Sequence, residues 1–464
     1  MTQILLSSLK RDDLATLINN DPSWLKGIRE RAFEYYQLLP NEVSSLYNKY
    51  TSATELKQDS IFFDLEVKEP SQSVLKRFEE VQGASILSVN NNIYNIKIPK
   101  ELKDKGVIIE KVTDALNKHD LQLKSIINKI DPLEDKFLAL EHALFNSGIF
   151  IYIPKNIELE EPITIIHEQS RDGASSIIRN IFYLDNSSKA SVVHELYSDY
   201  DGDKQQVLFE LNESYLASNA EFTHIILQAM NEKSAHVANI KAYVNRDARL
   251  NSYLGGFGSL LSRYKIDNSL EEEGASIEHM ETVFGSNNQI FDVTSNLLHK
   301  SPSTRGRVIA KNVVRDKARS LFKGMIRIEK DAKNSESYLA GHAIILNKGA
   351  KADSIPSLEI ENNEVKATHS ASVAQIDEEQ IFYLMARGFS REDAKRMIVL
   401  GFVEPLLRRL SPEARAWTKY LIESKWYGRP LIIRSDEIME EFLEVERESK
   451  RIETDLFEKH YKYR

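Results

Sequence analysis

Cysteine is absent from all 464 residues. That absence excludes disulfides, thiolate zinc sites, cysteine nucleophiles and thiolate-held metal clusters from this chain acting alone, so any soft-metal chemistry must borrow sulfur from a partner. Long apolar runs are also missing. No stretch approaches the roughly 18 apolar residues of a membrane span, and the opening MTQILLSSLKRDD carries too short an apolar run for a signal peptide. The expected address is therefore cytoplasmic. A surplus of positive charge is lacking too, since the formal net charge of -9 argues against general nucleic-acid binding. No GxxxxGK[ST] loop occurs, and the nearest glycine cluster, LGGFGSLL at 254–261, has no lysine to reach a phosphate. If ATP is used, another chain binds it.

What is present is an ordinary globular composition long enough for two to four domains. DPSWLKGIRERAFEYYQLLP places Trp24, Leu25, Ile28, Ala32, Phe33 and Tyr36 near a 3.6-residue period, with Pro22 at the start and Pro40 at the stop, which predicts an amphipathic helix. Residues 61–110 read as a mixed, strand-bearing segment. Residues 111–147 return to helix and end in KFLALEHALFNSG, with Gly148 as the expected stop.

From residue 148 the texture changes to short β-branched and aromatic runs between Asn, Asp, Ser and Gly. A phrase recurs in which a polar turn leads through alanine into a strand, at Ala190, Ala220, Ala248, Ala275, Ala318, Ala332 and Ala350. The first three gaps are 30, 28 and 27 residues and the last two are 14 and 18. A solenoid produces such a quasi-period, because each rung buries its inward side chains only against the next and needs a small residue at each tight corner. A β-sandwich with repetitive turns is the alternative on pattern alone.

The last 90 or so residues are helical again. Asp377 with Gln380 starts one helix, with Ile381, Leu384 and Met385 as its apolar face and Gly388 as its stop; Ser390 with Asp393 starts a second, faced by Ala394, Met397 and Ile398 and stopped by Gly401 before Pro405. Beyond Pro412, EEFLEVERESKRIETDLFEKHYKYR is expected to be helical and solvated on one face. HELYS at His194 and HEQSR at His167 lack the second histidine of a zinc-protease face and are expected to be strand residues. EEEGASIEHMETVF is expected to be a solvated turn rather than a hard-metal site. Phe382, Tyr383, Phe389 and Phe402 are more aromatic surface than two short helices bury, so part of it is expected to dock a partner.

The stretch ATHSASVAQIDEEQIFYLMARGFSREDAKRMIVLGFVEPLL resembles the C-terminal signature of the SufB/SufD family, subunits of the SUF iron-sulfur cluster assembly machinery. PSWLKGIRERAFEYYQLLP, DKFLALEHALFNSGIFIYIPKN and SNLLHKSPSTRGRVIAKNVVRDKARSLFKGMIRI agree, so the resemblance runs in order over nearly the whole chain. It implies a mainly β fold: a right-handed parallel β-helix core (148–375) flanked by helical N-terminal (1–147) and C-terminal (376–464) domains. It also implies a non-catalytic scaffold that pairs through its β-helix with a SufB-like subunit, or with itself. A SufC-like ATPase would dock on the C-terminal domain, through Phe382, Tyr383, Arg387, Gly388, Phe389, Phe402 and Pro405.

The chain resembles SufD more than SufB. Where SufB-type chains have a cysteine near the end of the β-helix, SYLAGHAIIL offers Gly341 and His342, and His369 fills the position that can bear a SufD interface histidine. Ala367 stands where some SufD-type chains have a cysteine. His369 is thus the candidate metal ligand, since neutral imidazole binds iron and can complete a site whose sulfur comes from a partner cysteine and added sulfide. The plainer alternative is an interface histidine hydrogen-bonded to backbone. No cofactor is expected to be held tightly by this chain alone; a nascent iron-sulfur cluster belongs to the assembled complex. A β-helix enzyme acting on polysaccharide is the rival of another class.

Overall fold

The computed structural model describes residues 4–443 apart from 46, 48–51, 58, 60, 64–66, 199–201, 438 and 441, so most of the charged tail lies outside the described residues. Between Ile149 and Gln375 the chain winds into a parallel β-solenoid in which successive coils give one strand to each of two sheets. The first sheet stacks Ala174–Leu184, Gln206–Leu216, Ser234–Val244, Leu261–Leu270, Ile290–His299, Arg319–Ile328 and Lys351–Ile360. The second stacks Ile163–Gln169, Lys189–Ser198, Glu221–Ala229, Arg249–Gly256, Ser276–Gly285, Arg305–Val314, Glu336–Ile345 and Lys366–Gln375. The sandwich alternative is thereby excluded, because every neighbouring pair in these stacks is parallel.

Coil length follows from the register. Lys189 pairs with Glu221 and Ala235 with Leu261, so a coil runs from 26 to 32 residues. Six successive coils turn into the second sheet through one left-handed residue each: Ser187, Asn219, Asp247, Gly274, Ser303 and Asn334 have φ between 54° and 75°. Asn, Asp and Gly tolerate that region best. The N–H groups of these residues donate to the following coil, Asn219 to the Arg246 carbonyl at 2.9 Å and Asn334 to the Glu364 carbonyl at 2.7 Å. The next residue is small and buried in every case: Ser188, Ala220, Ala248, Ala275, Thr304 and Ser335.

The alanine reading therefore caught the corner but not all of its members. Ser and Thr fill it equally well, which is why the period is lost after Ala275, and Ala190 lies two residues past its corner at Ser188. Ala318 and Ala350 belong to the opposite corner, so the short gaps of 14 and 18 residues are half-coils.

The N-terminal end of the solenoid is closed. Strand Ser85–Val89 extends the second sheet in parallel on Ile163–Gln169 and forms a hairpin with Asn92–Lys97, while Ile108–Lys111 pairs antiparallel with Ile149–Ile153. The predicted helix forms at Ser23–Leu38, burying Leu25, Ala32, Phe33 and Tyr36. With Lys136–Leu144 it covers the outer face of the first sheet, where Phe137 stacks on Phe209 with ring centroids 6.2 Å apart. Gly148 is not the stop of that helix. The helix ends at Leu144 because Asn146 and Ser147 already hydrogen-bond to the strand at Ile177 and Arg179. Gly148 has φ 120°, and a Cβ there would overlap the Arg179 carbonyl.

The C-terminal helices Glu378–Met385, Arg391–Leu407 and Pro412–Trp426 fold back toward the outer face of the second sheet, and Val399, Val403, Leu406, Trp417 and Leu421 join Val193, Ile225, Tyr253 and Met280 in one core. The stop expected at Gly401 does not occur. The helix runs through Gly401 and Pro405 to Leu407, the missing Pro405 donor being offset by burial of Val403, Leu406 and Leu407. Its buried face is Ala394, Val399 and Val403; Met397, placed there from the sequence, is 39% exposed.

One buried carboxylate joins three parts of the molecule. Glu195, on the second sheet, receives Arg77 Nε at 3.0 Å and Nη2 at 2.9 Å from helix Gln72–Glu80, the Tyr197 hydroxyl at 2.9 Å, and Arg434 Nη1 at 3.4 Å. Burial pushes this carboxyl up, but the two guanidiniums outweigh it and hold it at about 2. Because its folded pKa lies below the unfolded value of about 4.3, the stabilisation is complete above that value and drains away as pH falls toward 2. Glu195→Gln is expected to cost about 3 kcal/mol at pH 7, by stranding buried Arg77. Denaturant unfolding from pH 7 to 3 should show a smaller loss of stability in the variant; equal slopes would discount the carboxylate.

Candidate functional site

The other end of the solenoid is open. Lys366–Gln375 pairs on one side with Glu336–Ile345, Lys351–Ile360 pairs on one side with Arg319–Ile328, and among the described residues no strand covers their outer edges. Two adjacent sheets thus end in bare rows of backbone donors and acceptors, a template for another chain. Apolar side chains accompany them, with Ile360 and Val373 both more than 40% exposed.

His369 stands on this edge. Register places it in the row His224, Ser252, His279, Val308, Leu339, His369, whose earlier members are buried apart from the half-buried Ser252. It is exposed only because no coil follows. His342 is on the adjacent strand, three residues past Leu339, and so lies on the opposite face of its sheet from the Leu339 row, with Nδ1 2.7 Å from Ser372 Oγ; burial together with nearby Lys311 lowers its pKa. Tyr338 completes this outer cluster, its hydroxyl 3.1 Å from Ser370 Oγ. The two histidines therefore do not converge. Among the described residues no three His, Asp or Glu side chains form a metal-binding group.

Gly341 faces inward. A Cβ there would collide with the Phe322 ring and the Ser354 hydroxyl, so the lumen has no room for a thiol at this position as packed.

The sequence reading missed what fills the lumen. His167 and His194 are buried strand residues, as expected, but they belong to a polar interior. The Glu210 carboxylate sits 3.3 Å from His194 Nδ1, 3.1 Å from His236 Nε2 and 3.0 Å from Asn180 Nδ2. Burial raises its pKa, but the histidines prevail and bring it to about 2. The expected solvated turn in EEEGASIEHMETVF holds only for Glu272 and Glu273; His279 and Glu281 turn inward, 3.2 Å apart, with Ser295 donating to Glu281 at 2.7 Å. The available signal was polar residues recurring at one coil length.

A second exposed feature lies just past the edge. Asp377 accepts the Glu379 N–H at 2.9 Å, Gly388 turns the chain with φ 95°, Ser390 accepts the Asp393 N–H at 3.1 Å, and Arg391 clamps Glu378 at 2.6 Å, fixing a helical hairpin. Phe382 is 72% and Tyr383 57% exposed, Phe389 is exposed beside them, and the Arg387 guanidinium lies 4.3 Å over the Tyr383 ring. Pro405 is also exposed but lies in the next helix. Phe402 turns toward the solenoid, half-buried, with Lys311 Nζ 4.9 Å over its ring. The hairpin thus gathers five of the seven residues singled out for docking.

A closed N-terminal end, a last coil uncovered among the described residues and a neighbouring exposed aromatic hairpin define a two-sheet parallel β-solenoid protein with one exposed end. The family model described as SUF system FeS cluster assembly, SufBD core domain, matches residues 166–402, and the SufBD protein N-terminal region matches 6–165. The chain belongs to the SufBD family of iron-sulfur cluster assembly proteins. It is similar to the iron-sulfur cluster assembly SufBD family protein of Staphylococcus saprophyticus, 26% identical over 89% of this chain and 91% of the relative. Counterparts in Staphylococcus epidermidis and Staphylococcus aureus are 25% identical over the same shares. Among the described residues no helix is long and apolar enough to cross a membrane.

Gly341→Cys is expected to lower stability by about 1–3 kcal/mol through overpacking. Combined with Phe322→Ala it should cost less than the two single changes predict, measured by denaturant unfolding; simple additivity would mean the ring is not what fills the site.

Proposed function

We propose that this chain is a SufD-like, non-catalytic scaffold subunit that pairs with a SufB-like chain and a SufC-like ATPase to build iron-sulfur clusters and pass them on. The observation that carries this reading is the bare edge of both sheets at the last coil, with His369 on it. An uncovered edge of this size is a liability that a second β-solenoid, adding strands across both sheets, would remove. The absence of cysteine fits a subunit that supplies an imidazole while the partner supplies sulfur. ATP hydrolysis falls to the partner that covers Phe382, Tyr383 and Phe389, and the rigid capped hairpin would carry its motion to the adjoining edge.

Co-expression with SufB-like and SufC-like chains, followed by native mass measurement, is expected to give one copy of this chain, one SufB-like chain and two ATPases. A homodimer that ignores the SufB-like chain would replace the heterodimer with self-pairing at the same edge. In the intact complex, His369→Ala is expected to lower the iron and sulfide retained without changing subunit composition; unchanged loading removes the ligand role. Phe382→Ala and Tyr383→Ala should each weaken ATPase binding by about 2 kcal/mol, roughly 30-fold in a titration.

A further inference from the structure

On the outer face of the second sheet one row runs Lys189, Glu221, Arg249, Ser276, Arg305, Glu336, Lys366 along the solenoid axis. Its ends are neutralised, Lys189 by Glu221 at 3.1 Å and Lys366 by Glu336 at 3.2 Å. Its middle is not. Arg249 and Arg305 are exposed and have no carboxylate within ion-pair distance among the described residues, and between them stands the Ser276 hydroxyl. In the neighbouring row Arg307 lies 5.6 Å over the Tyr338 ring and 3.9 Å from Glu278, a carboxylate already engaged by Arg409. These residues line a groove of about 840 Å³ that continues to Lys366 and Thr368 on the open edge.

We propose that this groove binds an acidic polypeptide segment of a partner protein, laid across the strands. Four cations, Arg249, Arg305, Arg307 and Lys366, face two carboxylates, Glu278 and Glu336, on a chain whose net charge is -9, so the groove is positive where the molecule as a whole is not. The donors spread over four strand spacings, about 19 Å, the reach of about six extended residues. A single phosphate would need them gathered at one enclosed point. Double-stranded nucleic acid carries a charge about every 2 Å and calls for denser cations than a row interrupted by Glu278 and Glu336 provides. Alternating carboxylates on a peptide match the pattern, and guanidiniums are suited to bidentate carboxylate pairing. The inference is independent of the scaffold reading, since the groove is built from this chain's own residues.

The test is fluorescence anisotropy of a labelled hexaglutamate peptide with the full chain, at about 0.02 M and 0.2 M salt. Hexaglutamine, a single-stranded oligonucleotide and inorganic pyrophosphate serve as competing probes. Hexaglutamate is expected to bind in preference to all three and to weaken at the higher salt. Arg249→Gln with Arg305→Gln should weaken it about 30-fold or more. Lys189→Gln, at a neutralised position of the same row, should change it less than about two-fold. Both arginines are exposed, so the double variant should keep the parental melting temperature. The proposal is overturned if hexaglutamate does not bind, if the double variant binds as the parent does, if Lys189→Gln loses as much, or if the oligonucleotide or pyrophosphate binds more tightly.

Discussion

Everything in this molecule depends on one coil stacking upon the next. A single coil cannot bury its inward side chains or pair its own strand edges; both are satisfied only by the coil above and the coil below. The corner that repeats this geometry is made by one left-handed residue followed by one small buried residue, and its N–H is bonded to the neighbouring coil rather than within its own. Stacking also fixes register, so a residue's row is inherited along the axis, inward or outward, for the length of the solenoid. That inheritance places His369 in a lumen row and Arg249, Ser276 and Arg305 in a surface row.

The same logic makes the two ends unequal. At the start, hairpin Ser85–Lys97 and strand Ile108–Lys111 complete both sheets, and buried ion pairs such as Asp135 with Arg263 at 2.5 Å pin the covering helices. Such pairs add little net stability but are costly to break, so they hold the cover in one place. At the finish, the chain leaves the last strand for a capped hairpin that stands beside the edge without covering it. An uncovered stack end and a histidine freed from its row are therefore consequences of one event, the stopping of the coil with no further strand over it among the described residues.

The lumen adds a constraint of its own. Glu210, His194 and His236 meet inside the stack; Glu210 and His236 are held by hydrogen bonds from neighbouring strands, while buried His194 lies 3.3 Å from the Glu210 carboxylate without a hydrogen bond of its own among the described residues. A shift of register by one residue would break these contacts and turn the whole inward set outward.

The helix over Ser23–Leu38, the coil length and the capped hairpin around Gly388 were legible in the amino-acid order, because each rests on periodicity or on a turn residue's backbone preference, while the signature carrying His369 was legible only through its resemblance to a known family. The corner was half legible: alanine showed it at Ala220, Ala248 and Ala275, while Thr304 and Ser335 hid it, since what the corner requires is small size and not one residue type. The helix past Gly401 and Pro405 was misread because burial against the second sheet overrode local breakers. The polar lumen, the collision at Gly341 and the free arginines of the outer row were not legible at all. They exist only when residues about thirty positions apart are brought one strand spacing from each other, and that is set by stacking, which no local stretch of sequence encodes.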